Sequence, residues 1–444
     1  MDKTIFALSS GHGRAGVAVI RVSGPLADSA LLLLVGRLPV PRQATLLVIK
    51  SPVSGERLDQ CLVLRFSGSC SFTGEPCFEL HVHGGVAVVQ AVLSVLAGIK
   101  GLRLAEAGEF TRRALENGKL DLTQVESLAD LIEANTEMQR RQALRGLQGM
   151  VGVEVKRWRD QILEMKSLIA AEIDFSDEGD VGQSPAKDID SHLERLEHDL
   201  ESVLASYKHG RIVSEGFKVA IVGEPNVGKS SLLNAFAGAE VAIVTEHAGT
   251  TRDVLEVCLD VDGYQVVLLD TAGLRETMDP VEVIGIDRAR KTAESADLIL
   301  ILSEGNGSRA TPEAMDQGSF QGQKSIRVRT KQDLETSETH IDNISVAIST
   351  KTGFGLAELK QKILHHIQSL AASVEPVIIS RERQRLSIEQ ALYHCQNARR
   401  ATGLGIEFID EDIRLMDSSL AQLLGSVGVE EVLGAIFSRF CVGK

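Results

Sequence analysis

Gly223-Glu-Pro-Asn-Val-Gly-Lys-Ser-Ser231 is the stretch whose reading decides the fold. The apolar run before it, Phe217-Lys-Val-Ala-Ile-Val222, reads as a buried strand, and Leu232-Leu-Asn-Ala-Phe236 after it reads as a helix start. Strand, glycine loop and helix in that order make a phosphate cradle. Gly223 and Gly228 let the backbone curl so that consecutive N–H groups point inward, and the helix N-terminus adds its positive end. In this reading Lys229 reaches the β- and γ-phosphates, Ser230 ligates Mg²⁺, and Asn226, Val227, Gly228 and Ser231 complete the loop around the phosphates.

The other parts of a guanine-nucleotide site follow in order. Asp270, Thr271, Ala272 and Gly273 close a second apolar run, Gln265-Val-Val-Leu-Leu269. An aspartate at that strand end holds the Mg²⁺ shell, and the Gly273 N–H meets the γ-phosphate. Ahead of it, Thr245, Glu246, His247, Ala248, Gly249, Thr250 and Thr251 form a polar switch loop whose Thr251 completes Mg²⁺ coordination. Thr330-Lys331-Gln332-Asp333 follows the strand-like Ser325-Ile-Arg-Val-Arg329. Asp333 accepts from guanine N1–H and the 2-amino group, a donor pair that adenine does not offer. Ser349, Thr350 and Lys351 loop over the guanine edge. Guanine readers usually carry Asn where Thr330 stands. A hydroxyl does less than an amide, so a weaker grip on the same base is expected.

Leu274 departs from the pattern of Ras-like GTPases, which place a water-orienting Gln directly after Asp-x-x-Gly. Leucine cannot hydrogen-bond water. Two sources of the missing catalytic group remain open: the carboxylate of Glu282, or a monovalent cation held by Asn226 with carbonyls of Thr245 to Thr250.

The chain has 444 residues, 43% hydrophobic and 24% charged, which suits a protein of about three domains. A membrane span or a signal peptide is not evident, and the six scattered cysteines include no C-x-x-C pair. A cytoplasmic protein is expected. A formal charge of −14 argues against a surface that wraps nucleic acid by itself. Residues 1–118 read as an α/β domain, with strands at Thr4–Leu8, Val17–Val22 and Asp59–Phe66 and a helix at Val86–Leu96. Gly11-His-Gly-Arg-Ala-Gly16 is a literal G-x-G-x-x-G, but a β-branched run follows it, where a dinucleotide site needs a helix. His81 and His83 share a strand face with Glu79. Packing explains the two histidines better than metal does, and Glu79 is either a pocket acid or a solvent-facing carboxylate.

From Leu120 the spacing turns helical, with stripes at Val125, Leu128, Leu131 and Ile132 and at Val155, Trp158, Ile162, Met165 and Ile169. Residues Phe175–Ser191 read as an acidic loop. Leu193, Leu196, Leu200 and Leu204 resume a helix expected to end near Gly210. Helical spacing returns at Leu386, Ala391, Leu392 and Cys395 and at Leu420, Leu423 and Leu424. The expected organisation is a nucleotide domain, 211–372, inserted into a helical domain made of 119–210 and 373–444.

The closing residues, Ile436-Phe-Ser-Arg-Phe-Cys-Val-Gly-Lys444, resemble the C-terminal signature of the MnmE (TrmE) family of tRNA-modification GTPases. So do Gly13-Arg-Ala-Gly-Val17, Arg21-Val-Ser-Gly24, Phe72-Thr-Gly-Glu75, His83-Gly-Gly85, Ala107-Gly-Glu-Phe-Thr-Arg112 and Lys119-Leu-Asp-Leu122. The resemblance implies an N-terminal α/β folate-binding domain, a helical domain and an inserted Ras-like P-loop GTPase domain activated by potassium. It implies a homodimer that joins the flavoprotein MnmG in a heterotetramer and modifies carbon 5 of uridine 34 of certain tRNAs. The one-carbon unit would come from 5-formyl- or methylene-tetrahydrofolate. Carried over by position, Arg21, Glu79, Lys119 and Lys444 line the folate pocket; Asn226, Thr245, His247 and Thr250 hold K⁺; Ser230 and Thr251 hold Mg²⁺; Glu282 orients water; and Cys441 is a further candidate. Two other readings stand beside this one: a GTP-controlled binding switch, such as a ribosome-assembly or membrane-associated GTPase, and a redox enzyme using the Gly11–Gly16 loop.

Overall fold

The computed structural model describes residues 3–174, 186–224, 226–238, 242–243, 256–270, 295–304, 324–334, 345–371, 379–401, 407–425, 434, 436–437, 440 and 442–443. It forms two compact units, Met1–Ala129 with Gly146–Glu178 and Asp410–Lys444, and Asp130–Arg145 with Gly179–Ile409.

In the first unit, β1 (Thr4–Leu8), β2 (Val17–Ser23), β3 (Thr45–Lys50), β4 (Arg57–Phe66), β5 (Cys77–His83) and β6 (Leu102–Leu104) make one sheet in the order β3-β4-β5-β2-β1-β6. Neighbours run antiparallel except β1 with β6. Alternation along the strands assigns the faces. Ile20, Val22, Phe78, Leu80 and Val82 bury against α1 (Ala27–Val35) and α2 (Val86–Ala97). Arg21, Glu79 and His81, the residues between them, point to the other face, where Phe110 of α3 (Glu109–Glu116) packs on Ile5, Ala7 and Ala105. The Gly11–Gly16 segment joins two strands and opens no helix.

Four helices follow: α4 (Leu122–Glu133), α5 (Glu137–Leu147), α6 (Met150–Asp174) and α7 (Ala186–Glu215). All five stripe residues of α6, Val155 to Ile169, are buried. On α4, Val125 is buried while Ile132 is exposed.

The second unit carries β7 (Phe217–Gly223), α8 (Lys229–Ala237), β8 (Ala242–Ile243), β9 (Glu256–Val261), β10 (Tyr264–Asp270), β11 (Leu298–Glu304), β12 (Ser325–Thr330), β13 (Ser345–Ala347) and α9 (Leu356–Ala371). Sheet order is β13-β12-β11-β7-β10-β9-β8, parallel from β13 to β10 and antiparallel at β9 and β8. Val219, Ile221, Leu232, Phe236, Leu268, Leu300, Val328 and Ile363 share its core. Because β7 lies between β11 and β10, strand order reverses there and leaves a crevice at the carboxyl ends of the strands.

Two helix limits differ from the sequence expectation. Helix α7 begins at Ala186, so residues 186–191 are helical rather than part of the acidic loop. Asp188 in the first turn is helix-start chemistry. The same helix runs through Gly210, because Ile212 beyond it is fully buried in the core of the nucleotide sheet. It stops at Gly216, which adopts φ +90, and whose N–H donates to the Ile212 carbonyl at 3.0 Å. Two more helices are α10 (Glu382–Ala401) and α11 (Glu407–Leu423). On α10, Ala391 and Cys395 are buried, but Leu386 is 46% exposed; the buried line runs instead through Gln384, Ser387 and Ile388. In the first unit Asp417 of α11 accepts from Arg159 at 2.6 Å and Lys166 at 2.9 Å on α6. No helix among the described residues is long and apolar enough to cross a membrane.

An ionic cluster fixes α3 to the loop before β5. Arg113, 3% exposed, donates to Glu75 Oε2 at 2.9 Å, Glu109 Oε1 at 3.0 Å and the Lys3 carbonyl at 3.0 Å. An unpaired buried charge would cost several kcal/mol, and these contacts supply the pairing that Arg113 needs. Burial raises the Glu109 carboxyl, but hydrogen bonds from Arg103, the Glu106 N–H and Arg113 outweigh it and bring the group down to about 2. A depressed folded value means stability present above the unfolded pKa and lost as pH falls through about 2. Glu109→Gln is therefore expected to lower the urea-unfolding free energy at pH 7 by about 3 kcal/mol. The gap from wild type should close between roughly pH 4.5 and 2; a constant gap across that window contradicts the assignment.

Candidate functional site

The phosphate loop is held by its own backbone chemistry and by one side chain from β12. Gly228 caps α8 at φ +102, and Asn226 adopts φ +63, a conformation that Asn tolerates better than most residues. Lys229, 7% exposed, donates from Nζ to the carbonyls of Gly223 at 2.7 Å and Glu224 at 2.8 Å, which sets its ammonium over the loop. Ser230 follows at the exposed start of α8, and Ser231 is exposed beside it. Thr330, 3% exposed at the end of β12, donates from Oγ1 to the Val227 carbonyl at 2.6 Å. The loop brace is therefore present although the residue is Thr. Asp270 closes β10 with its backbone opposite Ile221, two residues before the loop begins.

At the far side of the crevice, Asp333 lies in the short turn Gln332–Leu334. Ser349, 1% exposed, donates from Oγ to Asp333 Oδ1 at 2.7 Å, and that hydrogen bond holds the Asp333 carboxyl below its ordinary value. The Ser349 loop is tied by Thr352 N–H to Ser349 Oγ at 3.3 Å and by Gly353 N–H to the Ser349 carbonyl at 2.9 Å. Lys331, at φ +58, pairs with Glu304 at 2.8 Å. Thr350 and Lys351 continue that loop at the surface.

A second polar site stands on the face of the first unit's sheet opposite α1 and α2. Arg21 and Glu79 are register partners across β2 and β5, and Arg21 Nε donates to Glu79 Oε1 at 2.9 Å. The guanidinium carbon lies 5.4 Å from the Phe72 ring centre and 5.7 Å from that of Phe110. The second Glu79 oxygen is 3.3 Å from His81 Nε2, and the Glu79 side chain is 16% exposed. His83 instead turns to Asp59, 2.8 Å from Nδ1 to Oδ1. Lys119 donates from Nζ to the Ser69 carbonyl at 2.7 Å, at the root of the loop that carries Phe72. Phe72 and Phe110 had no assigned role in the sequence reading, and His81 was read as strand packing; strand alternation gave the face of His81 but could not bring the two rings to it.

Several expected residues lie outside the described ones: Thr245, Glu246, His247, Ala248, Gly249, Thr250, Thr251, Thr271, Ala272, Gly273, Leu274, Glu282, Cys441 and Lys444. The residue before Lys444 is anchored, with the Gly443 carbonyl accepting from Ser9 Oγ at 2.8 Å, next to β1.

Residues 122–441 match the family described as the MnmE helical domain, and residues 4–119 match the one described as the GTP-binding protein TrmE N-terminus. The chain is 47% identical over 442 residues to the tRNA modification GTPase MnmE of Agrobacterium fabrum, covering 99% of each chain. It is 46% identical over 449 residues to the protein of that name from a Bradyrhizobium species, covering 100% of this chain and 99% of the other. For the protein of Beijerinckia indica the identity is 47% over 446 residues, with 100% and 96% covered.

Proposed function

This chain belongs to the MnmE family of tRNA modification GTPases, and from that premise we propose that it couples GTP hydrolysis to one-carbon modification of the wobble uridine. Carbon 5 of uridine 34 would receive an aminomethyl or carboxymethylaminomethyl group. A homodimer of the chain would act in the cytoplasm with the flavoprotein MnmG, which fits an acidic protein that leaves much of the RNA contact to a partner. Domain limits are proposed at 1–118, 119–210 with 373–444, and 211–372.

The observation that carries this reading is the Arg21–Glu79 pair on a sheet face beside Phe72 and Phe110. A folate fits that set. Its pterin presents amino and ring N–H donors, which a carboxylate accepts, and a conjugated ring, which aromatic side chains cover. Its carbonyls and glutamate tail suit a guanidinium and the Lys119 ammonium. A simple GTP-controlled switch needs no such face.

In the second unit, Lys229 is proposed to meet the phosphates and Ser230 to hold Mg²⁺, with Thr251 completing the metal's ligands. Asn226, at the exposed shoulder of the loop, is proposed to hold K⁺ together with Thr245, His247 and Thr250. Such a cation would supply positive charge where negative charge builds up on the transferring phosphoryl group. Since Leu274 cannot orient water, Glu282 takes that role in the proposal.

Two measurements test this. Calorimetric titration with 5-formyl-tetrahydrofolate should show binding by wild type and at least tenfold weaker binding by Arg21→Ala and Glu79→Gln, each losing a charge-assisted hydrogen bond. Absence of binding by wild type would favour the GTP-controlled switch. GTP turnover should be faster in potassium than in sodium, with the difference lost in Asn226→Ala. Equal rates in both salts would remove the cation from the account.

A further inference from the structure

Among the described residues, the hydroxyls of Thr330 and Ser349 at the base end of the crevice have their hydrogens committed to acceptors within the chain. Thr330 has one hydroxyl hydrogen. Its nearest acceptor is the Val227 carbonyl at 2.6 Å, and its alternative, the Ser303 carbonyl at 3.3 Å, is again a backbone oxygen. The side chain is 3% exposed and packs under the phosphate loop; a Cβ placed on Gly228 would stand 3.8 Å from Thr330 Cβ and 3.9 Å from both Cγ2 and Oγ1. Ser349 spends its hydroxyl hydrogen on Asp333, and Lys331 is drawn to Glu304. Asp333, as a carboxylate, only accepts.

Guanine offers two acceptors on its outer edge, N7 and O6, and two donors on its pairing edge, N1–H and the 2-amino group. From these commitments we infer that the enzyme reads guanine by its donor edge and leaves N7 unread, and that Thr330 is the residue that sets this specificity. The inference rests on the proposed reading of residues 330–333 as the base reader. An asparagine at 330 would carry two amide hydrogens, one for the Val227 carbonyl and one left over for a purine acceptor. The single hydroxyl keeps the loop brace and gives up the second contact. The weaker grip expected from the sequence then has a specific location on the base.

The test is equilibrium binding of GDP, 7-deaza-GDP and ADP to the purified full-length protein; 7-deaza-GDP replaces N7 by a C–H. Wild type should bind GDP and 7-deaza-GDP within twofold of each other, and ADP far more weakly. Thr330→Asn should bind GDP about fivefold more tightly while its affinity for 7-deaza-GDP stays put, which opens a gap of about fivefold between the two. Thr330→Ser, which keeps the hydroxyl brace, should behave as wild type, so the inference stays testable if the Asn variant does not fold. A wild type that prefers GDP over both ADP and 7-deaza-GDP, the latter by fivefold or more, overturns the inference alone. A wild type that does not distinguish GDP from ADP overturns the base-reader reading, and the inference with it.

Discussion

Everything at the nucleotide end depends on β7 being apolar on both faces. Val219 and Ile221 bury on one side and Ala220 and Val222 on the other, so the strand must lie inside the sheet with structure against each face. A central parallel strand puts its carboxyl end where strand order reverses, and the loop that leaves it opens into the crevice there. Glycines alone would leave that loop free to shift. The Thr330 hydroxyl on the Val227 carbonyl and the Lys229 ammonium on the Gly223 and Glu224 carbonyls fix its curl from below and above.

The first unit solves a different problem. Its sheet gives one face to α1 and α2 and keeps charged residues on the other, where a lone guanidinium or carboxylate would be costly to enclose. Pairing Arg21 with Glu79 across neighbouring strands, and Arg113 with Glu75 and Glu109 deeper in, settles that cost. The deep cluster holds α3 and the loop up to Glu75, and so it sets where Phe72 and Phe110 stand relative to Arg21.

What could be read from the sequence was what is local. The phosphate loop, Asp333 and Ser349 belong to short patterns whose chemistry is fixed by adjacent residues, and the structure puts Asp333 and Ser349 in one hydrogen bond. Arg21 and Glu79 are 58 positions apart, and their meeting depends on the β2–β5 register, which no local spacing encodes. The family resemblance named them; the rings beside them came only with the fold. Helix α7 shows the same limit in reverse. Gly210 reads as a stop because glycine costs a helix roughly 1 kcal/mol, but burial of Ile212 just beyond it outweighs that cost. Leu386 looked like core by spacing and lies outside, because α10 turns Ser387 and Ile388 inward.

The central claim is that this cradle belongs to guanine and that Asp333 reads it. Asp333→Asn tests this most directly, because an amide can donate to the 2-carbonyl of xanthine where the carboxylate accepted from the 2-amino group of guanine. Competition binding with GDP and xanthosine diphosphate is the measurement. The account predicts that wild type prefers GDP and that the variant prefers xanthosine diphosphate. A variant that still prefers GDP would contradict it.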